Sequence, residues 1–469
     1  MSALEKAITY SNKIGVDECE IIKIIKNITT VRITDSEIVE IKQNFDQNYG
    51  IRLIQQKKIA SIQTTSNEKI FDGIDKGLKT TQKIKPREFW RGLPDKKESV
   101  QLEGTFDKKL KDISGSNAMD IAQNMINSAE NGKTNTITGS LNIVYEKFEL
   151  MNSNGLDFND ESTYISGVIN AESEQSTVPV SGIGHACGRT LAKFSPEQIG
   201  HDARKMCVES INPQKINSDT YSIIFEPYSV GELLSFVVAS NFSFKTISEK
   251  KSCFSNNFKN KIATEDFNLT DDPHISEGIG TKAIDDEGTK TEKNKLVEDG
   301  IFKNTFSNLY DSYKEGKKGS GNASRTGSPM GRSSNPIPIS APHNITIKSG
   351  NTSQEDMIKD TKHGLLVGRL WYTYAVNPIK GDFSCTARSG IQVIKNGKIT
   401  GPGKSVRIIH SLPNMLKNIS SVGNDQRKVI QWASLPSITP SIKVENISVN
   451  SIWISGASYL KNVVIRYKI

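Results

Sequence analysis

The sequence has few of the residues that bind metals or form crosslinks. Its five cysteines and six histidines are scattered over 469 residues, no two cysteines have C-x-x-C spacing, and no two histidines lie within one helical turn of each other. These spacings indicate neither a zinc knuckle nor a disulfide framework. We therefore expect the cysteines to be buried free thiols, and we expect no metal cluster built from neighbouring residues.

Long apolar runs are missing as well. Residues 1–10 mix charges into a helical pattern and lack the apolar segment of a signal peptide. Residues 233–239 form one of the longest apolar runs, which Ser235 interrupts, and it is far too short to span a membrane. The sequence therefore predicts a cytoplasmic protein without a membrane span.

The overall composition is typical of a globular protein. Hydrophobic residues make up 35% of the chain and charged residues 24%, which argues against disorder. A chain of this length can form two or three domains with full cores. The net charge of +8 is a mild excess over this length and is weak evidence for a nucleic-acid partner.

The order of predicted elements indicates an α+β fold. Apolar spacing and turn residues predict the following elements in order: a helix over 4–14, strands over 18–26, 29–41, 51–56 and 59–64, a helix over 66–83, a linker over 85–99, a helix over 117–131, paired strands over 137–171, and a helix over 200–212. Beyond these, Asp299-Gly300 and Asn396-Gly397 predict two-residue hairpin turns. We therefore predict N-terminal helix-and-sheet units, residues 1–85 and 86–215, and a mainly antiparallel, β-rich C-terminal domain, residues 216–469.

Residues 221–245 predict a strand that runs directly into an amphipathic helix. Residues 223–225 are β-branched or aromatic, and Pro227 lies where a helix can begin. The apolar residues that follow recur at helical spacing; they are Val230, Leu233, Leu234, Val237 and Val238.

At this helix the chain resembles the TldD/PmbA family, whose peptidase members carry the motif His-Glu-x-x-x-His here. Residues 231–234 keep the lead-in to the motif, but Ser235, Phe236 and Ser240 stand where the resemblance places the two metal histidines and the glutamate. Further phrases similar to those of the family occur in the same order on both sides of this helix, so the resemblance covers nearly the whole chain. They are residues 52–54, 64–66, 151–156, 285–288, 321–325, Asn377-Pro378 and 381–384.

The three substituted positions carry no zinc chemistry. Zinc hydrolysis needs imidazole, thiolate or carboxylate ligands and a base that takes a proton from the bound water, and neither a serine hydroxyl nor Phe236 supplies these. Positions five apart also lie about 140° apart on a regular helix, so a working motif requires a widened turn. In the peptidase branch a cysteine near the C-terminus completes the metal site, and residues 422–440 contain none.

The resemblance implies a non-catalytic, TldE/PmbA-like subunit of a TldD-type zinc metallopeptidase that acts on peptides and unfolded segments. It implies no catalytic residue and no cofactor in this chain, with zinc in the partner subunit. One alternative is a regulatory or binding protein, either self-associated or linked to gyrase, as the family's name "modulator of DNA gyrase" suggests. No recognition motif supports direct binding of nucleic acid.

A metal-independent hydrolase is a further alternative. The chain offers the carboxylates Asp285, Asp286, Glu287 and Asp382, with His274 close to the first three in sequence. Such residues are also typical of turns and hairpins, and that interpretation fits their spacing better.

Residues 314–332 form a segment rich in glycine, serine and basic residues. This composition predicts a solvated, mobile loop that is sensitive to proteases. The alternative is an electropositive flap over a substrate cleft or anion site, with Asn322 and Arg325 as candidate cleft residues. The segment does not follow a strand and open a helix, as a phosphate-binding loop does.

Overall fold

The computed structural model describes residues 1–95, 102–431 and 435–452. The chain forms an N-terminal and a C-terminal unit. The elements of the N-terminal unit are α1 (Ala3–Lys13), β1 (Glu18–Thr34), β2 (Glu37–Gln55), β3 (Lys58–Thr64), α2 (Ile70–Thr81), α3 (Lys108–Lys111), α4 (Gly115–Ala129), β4 (Thr136–Asn152), β5 (Asp157–Ser173), β6 (Val180–Gly188) and α5 (Pro196–Val208).

The N-terminal unit is built on one antiparallel sheet. Its strand order is β3-β2-β1-β4-β5-β6, and β1 pairs with both β2 and β4 along most of its length. The two predicted N-terminal units, residues 1–85 and 86–215, therefore share a single sheet. Sequence spacing did not reveal this, because the β1–β4 pairing joins segments that are far apart in the chain.

The first hairpin also differs from its prediction. Strand β1 continues through residues 27 and 28, and the chain turns at Asp35 and Ser36, inside the predicted strand 29–41. Both turn residues have positive φ, 51° and 64°, as a two-residue hairpin turn requires. The turn contains no glycine, so it carried only a weak signal in the sequence.

Helices cover one face of this sheet. One apolar cluster joins α1 and α2 to the strands through residues such as Leu4, Ile51 and Ile74. A second cluster joins α4 and α5 to the opposite half of the sheet through residues such as Met125 and Ile165. The other face of the sheet meets the C-terminal unit.

The C-terminal unit holds the remaining elements. They are β7 (Asp219–Phe225), α6 (Pro227–Leu233), α7 (Phe244–Ser248), β8 (Leu269–Asp271), β9 (Asn294–Glu298), β10 (Ile301–Phe302), α8 (Leu309–Glu315), β11 (Ala323–Ser324), β12 (Ile339–Ser340), β13 (Ile345–Ile347), α9 (Gln354–Lys359), β14 (His363–Asn377), β15 (Asp382–Lys395), β16 (Lys398–Pro402), β17 (Val406–Ser411), α10 (Leu412–Lys417), β18 (Ile419–Val422), β19 (Arg427–Val429), β20 (Ser437–Thr439) and β21 (Ile442–Ser451).

Two sheets and one large apolar core organise the C-terminal unit. The larger sheet has the order β14-β7-β21-β17-β15-β16, with β18 paired to β21, and the second has the order β10-β9-β8-β13-β20-β19. Most pairs are antiparallel, and β7–β14 and β13–β20 are parallel. The core between the sheets includes Phe225, Leu269 and Phe383. The predicted α+β class with a β-rich C-terminal region is confirmed.

The two glycine-containing hairpin turns predicted in this unit are also confirmed. Asp299-Gly300 joins β9 to β10, and Asn396-Gly397 joins β15 to β16. All four residues have positive φ, between 49° and 75°. Across residues 1–95, 102–431 and 435–452, no helix combines the length and the apolar character needed to cross a membrane.

Candidate functional site

Strand β7 and the helix after it occupy the middle of the C-terminal unit. Strand β7 lies between β14 and β21, and Pro227 begins helix α6 directly after Glu226. The Glu226 N–H donates to the carbonyl of Val367 on β14 at 3.0 Å. The Ser229 hydroxyl donates to the same carbonyl at 2.9 Å. These bonds fix the start of the helix to the buried part of strand β14.

The helix widens where the family motif would lie. Residues Leu234–Val238 form a π turn, and Ala239–Phe242 continue as a 3-10 turn. A π turn bonds residues five apart, so it brings Ser235 and Ser240 closer to one side than a regular helix does. The side-chain amide of Asn241 donates to the Val237 carbonyl at 2.8 Å and so satisfies an acceptor at the exit of this turn. The widened turn that a working motif requires is therefore present.

The side chains at the three motif positions do not fit zinc. The Ser235 hydroxyl oxygen is buried and has no hydrogen-bond partner among the described residues. Phe236 is 37% exposed, and Ser240 is exposed. None of the three offers the nitrogen, thiolate or carboxylate that zinc prefers. The backbone therefore has the widened turn of the motif, but the side chains at the motif positions lack the groups that bind zinc.

Glu232 lies one turn before these positions and does not supply the missing ligand. Its side chain is buried and accepts the backbone N–H of Leu370 at 2.6 Å. Burial raises the pKa of Glu232 to about 8, against the opposing effects of the Leu370 N–H and of Arg369. The carboxyl is therefore mainly neutral at pH 7, which is unfavourable for zinc binding. Sequence reasoning missed this residue, because nothing local distinguishes it from an exposed helix glutamate.

An exposed face of β14, β15 and β17 carries aromatic, aliphatic and arginine side chains. Tyr374 lies opposite Ser384 on β15, which lies opposite Ile409 on β17. Tyr374 is 48% exposed, Ile409 is 52% exposed and Val376 is 56% exposed. We call Tyr374, Val376 and Ile409 the outer strand surface.

Arginines fix the aromatic rings beside this surface. The guanidinium of Arg407 donates to the Tyr374 hydroxyl at 2.8 Å. The guanidinium groups of Arg369 and Arg388 lie over the Trp371 ring, 4.4 and 5.2 Å from its centroid. Arginine and aromatic side chains are enriched in the energetically dominant parts of protein interfaces.

The basic segment 314–332 is not the solvated loop that its composition predicted. Lys314, Lys317 and Lys318 are exposed, but Asn322 and Arg325 are each only 1% exposed. The predicted mobile loop is therefore wrong for the second part of the segment, and the candidate cleft residues do not line an open cleft. Long-range partners hold them, and composition alone cannot show such partners.

Asn322 and Arg325 are both bound inside the protein. The Asn322 amide donates to the Asp271 carboxylate at 2.6 Å. The Arg325 Nε–H donates to the backbone carbonyl of Asp286 at 2.8 Å, and its guanidinium pairs with Glu20 of strand β1. The predicted electropositive flap therefore has no support at these residues, because both side chains are buried and the Arg325 guanidinium is paired with Glu20.

Arg325 belongs to a buried set of charges that joins the two units, here named the interdomain ion network. Its members from the N-terminal sheet are Glu20, Lys26, Arg52, Glu146 and Asp160, and those from the C-terminal unit are Lys282, Asp286, Glu287, Arg325 and Arg332. The Arg332 guanidinium pairs with three carboxylates at once, those of Asp286 at 2.9 Å, Asp160 at 2.9 Å and Glu146 at 3.1 Å. Buried charges are tolerated when they are paired in this way.

The network sets the charge of its carboxylates. Burial opposes ionisation of Glu146, but Lys26 and Arg332 outweigh it and hold the pKa of Glu146 below its ordinary value. Burial likewise opposes ionisation of Asp286, and Lys282 and Arg332 hold its pKa far below the ordinary value. Both carboxylates are therefore charged at neutral pH and attract the surrounding cations.

The structure does not bring the alternative hydrolase residues together. Asp286 and Glu287 pair with the cations of the network, and Asp285 accepts backbone N–H groups of its own turn. The His274 ring is instead 3.1 Å from the Thr291 hydroxyl, and Asp382 begins strand β15 in the larger C-terminal sheet. The interpretation of these residues as structural and turn residues fits their positions.

Comparison with known proteins finds relatives that cover most of the chain. Residues 218–451 match the family model of the PmbA/TldA metallopeptidase C-terminal domain. An uncharacterized protein of Methanocaldococcus jannaschii is 25% identical over 396 residues, which cover 84% of this chain and 89% of that protein. The metalloprotease PmbA of Escherichia coli O157:H7 is 26% identical over 314 residues, covering 66% of this chain and 65% of that protein.

A solved structure agrees with the sequence relatives. TldE from Thermococcus kodakarensis superposes with a TM-score of 0.86 at 23% identity, and the match covers 96% of this chain and all of that chain. At this identity the likeness concerns the fold. Together with the matched family model and the sequence relatives, it leads to one conclusion: the chain belongs to the TldD/PmbA family.

Proposed function

We propose that this chain is a non-catalytic subunit of a TldD-type zinc metallopeptidase complex that acts on peptides and unfolded segments. One observation carries the proposal: the π turn that the motif requires is present, and Ser235, Phe236 and Ser240 occupy the motif positions. A chain that keeps the scaffold without the ligands can shape a cleft for a partner. The catalytic zinc then belongs to the partner subunit.

The outer strand surface supports a partner bound to the C-terminal unit. It exposes Tyr374, Val376 and Ile409 within a single sheet face, and arginines fix the neighbouring aromatic rings. Exposed apolar groups of this kind mark interaction sites. A stable complex of two such chains requires more than about 1,000 Å² of buried surface, so the contact must extend beyond these residues.

In the proposed complex this chain acts by exclusion and positioning. A partner bound at the outer strand surface holds this chain beside the catalytic cleft, where the two chains together exclude bulk water and folded protein. Closure of this kind limits access to extended, unfolded segments and strengthens the electrostatic interactions inside the cleft. No proton transfer is assigned to Ser235, Phe236 or Ser240.

Co-expression with a TldD-type chain from the same cell tests the complex. We expect the two chains to elute together on size exclusion and the pair to cleave an unstructured peptide at least about tenfold faster than the catalytic chain alone. The variant Tyr374→Lys/Ile409→Lys should abolish co-elution. Met119→Lys, which changes a residue 40% exposed on helix α4, is the matched control and should not. Separate elution together with equal cleavage rates with and without this chain would contradict the proposal.

Metal analysis tests the non-catalytic part separately. After dialysis, we expect less than about 0.1 zinc per purified chain, because the motif positions offer no zinc ligand. Phe236→Glu should leave both the zinc content and the peptidase activity of the isolated chain unchanged, since a base has no activated water without the metal. One tightly held zinc per wild-type chain would show that the ligands lie elsewhere.

A further inference from the structure

Strand β2 has an open edge in the N-terminal unit. On one side it pairs with β1 from Glu37 to Ile54. On the other side it pairs with β3, and this pairing begins only at Tyr49. No other described strand pairs with residues 37–48, so the outer row of backbone N–H and C=O groups is open along this stretch.

The open edge is only partly protected. Val39 is 55% exposed, Ile41 is 37% exposed and Phe45 is 67% exposed. Natural edge strands are commonly short, bulged, covered or charged. This one has a bulge at Val39 and several charges, but it also exposes apolar side chains along residues 39–45. Such an edge is a template for another strand.

The fold limits how a second copy of the strand can pair with this edge. In a two-fold antiparallel pair, the turn at Asp35 and Ser36 of each copy lies in line with β3 of the other copy. The turn must therefore stop before Tyr49, where β3 begins. A pair centred on Ile41 places the turn opposite residues 46 and 47, which are open. A centre one or more residues further along drives the turn into the end of β3.

Charge selects the same centre. In a pair centred on Ile41, Glu40 of each copy lies opposite Lys42 of the other, and the two Ile41 side chains meet at the axis. Opposite charges in directly opposed positions stabilise a strand pair, and like charges destabilise it. A centre at Glu40 or at Lys42 would instead oppose two glutamates or two lysines. Space therefore excludes centres beyond Ile41, and charge excludes the two neighbouring centres, Glu40 and Lys42.

We propose that two copies of this chain associate through the β2 edge, residues 37–45, in an antiparallel pair centred on Ile41. The pair joins the two six-stranded N-terminal sheets into one continuous sheet and leaves the helices of both copies on the same face. The Arg32 side chain already lies 3.6 Å from Glu40, so Glu40 is held on the face where Lys42 of the second copy would meet it. The contact is isologous and closes at two chains.

The association should be moderate in strength, because a short strand pair buries less surface than a standard interface. It also leaves the outer strand surface of the C-terminal unit free. The association is therefore independent of the catalytic partner proposed above, and either proposal can fail without the other.

Sedimentation of the purified wild-type chain between about 1 and 200 μM tests the association. We expect a concentration-dependent dimer. Lys42→Glu sets a second carboxylate opposite Glu40 at both ends of the pair and should raise the dimer dissociation constant at least about tenfold. Lys359→Glu makes the same charge change at an exposed site on α9 and should leave the dissociation constant unchanged.

A charge swap tests the register. Glu40→Lys/Lys42→Glu restores opposite charges at both positions and should return the dissociation constant to within about threefold of the wild-type value. A mixture of Glu40→Lys chains and Lys42→Glu chains should form a mixed dimer more readily than either variant forms a dimer alone. A wild-type chain that stays monomeric at about 200 μM, or a double variant no better than Lys42→Glu, would overturn the proposal. Circular dichroism confirms that each variant is folded.

Discussion

The interdomain ion network and the π turn are opposite kinds of polar region. The arginines at the centre of the network have side chains that are 1% exposed or less, yet each of its ions has a counterion. The π turn has the backbone geometry of a metal site and presents two hydroxyls and a phenyl ring there. In this chain the dense cluster of titratable groups holds the two units together, and the backbone geometry of the π turn identifies the candidate site.

Shifted pKa values occur in both regions, but for different physical reasons. Asp286 and Glu146 have lowered pKa values because cations surround them after burial. Glu232, close to the π turn, has a raised pKa because burial dominates. Perturbed groups are functional candidates only in combination with a cleft and a chemical role. The network has neither, since it is buried and each of its ions is paired with another ion of the network.

Removing the central cation of the network should produce the largest effect. Arg332→Met leaves the buried carboxylates of Asp286 and Glu146 with one lysine each, Lys282 at 2.9 Å and Lys26 at 3.4 Å, and removes the arginine that they share with Asp160. We therefore expect a loss of about 3–5 kcal/mol in the free energy of unfolding. Urea unfolding at pH 7 measures the change. Lys76→Ala, which removes an exposed pair with Asp72 at 2.7 Å, is the control and should change the same quantity by no more than about 0.5 kcal/mol. Equal losses of unfolding free energy in the two variants would mean that the buried network contributes no more to stability than an exposed ion pair does.

The pH dependence of stability should have a recognisable contribution from Glu232. Between its ordinary pKa and the folded value of about 8, the folded chain keeps a proton that the unfolded chain loses, so this group lowers stability as the pH rises through that window. Glu232→Gln removes the contribution, while its amide oxygen can still accept the Leu370 N–H. We therefore expect the variant to gain about 3 kcal/mol relative to wild type on going from pH 5 to pH 8.

Urea unfolding of both proteins at the two pH values checks this prediction. Because the same variant is compared with wild type at each pH, changes in packing cancel in the difference. A constant difference between pH 5 and pH 8 would mean that the pKa of Glu232 is close to its ordinary value. The π turn would then lie in a more hydrated environment than the structure indicates.

Much of the fold was predictable from local patterns. The strand before Pro227 and the apolar spacing after it gave β7 and α6, and Asp299-Gly300 and Asn396-Gly397 gave their hairpins, because turn chemistry and periodicity act over a few residues. The turn at Asp35-Ser36 was missed, since neither residue is a strong turn signal at those positions. The π turn itself has no local signature and follows from packing of the helix between strands.

The interdomain ion network was not predictable, for a different reason. Its members look like ordinary surface charges or turn residues in the sequence, and Arg325 and Arg332 lie in a segment whose glycine and serine content indicates a solvated loop. Their burial depends on Glu20 and Glu146, which are 305 and 186 residues away in the chain. Composition and periodicity report on neighbours in sequence, so they cannot show that a distant strand supplies the counterion.

The smallest expected effect is a difference in unfolding free energy between the alanine variants of two serines on the same helix. The Ser229 hydroxyl donates to the Glu226 and Val367 carbonyls at 2.8 and 2.9 Å, so Ser229→Ala should lower the free energy of unfolding by about 1 kcal/mol. The Ser235 hydroxyl is buried without a partner among the described residues, so Ser235→Ala removes an unsatisfied group. We expect that variant to be as stable as wild type or more stable by up to about 1 kcal/mol.

Parallel urea unfolding of the two alanine variants measures the difference in sign. Both changes remove one hydroxyl from a buried position on the same helix, so side-chain size and helix propensity nearly cancel between them. A loss for Ser235→Ala equal to that for Ser229→Ala would mean that a bound group satisfies the Ser235 hydroxyl. The motif position would then retain a polar ligand, and its assignment as chemically empty would have to be revised.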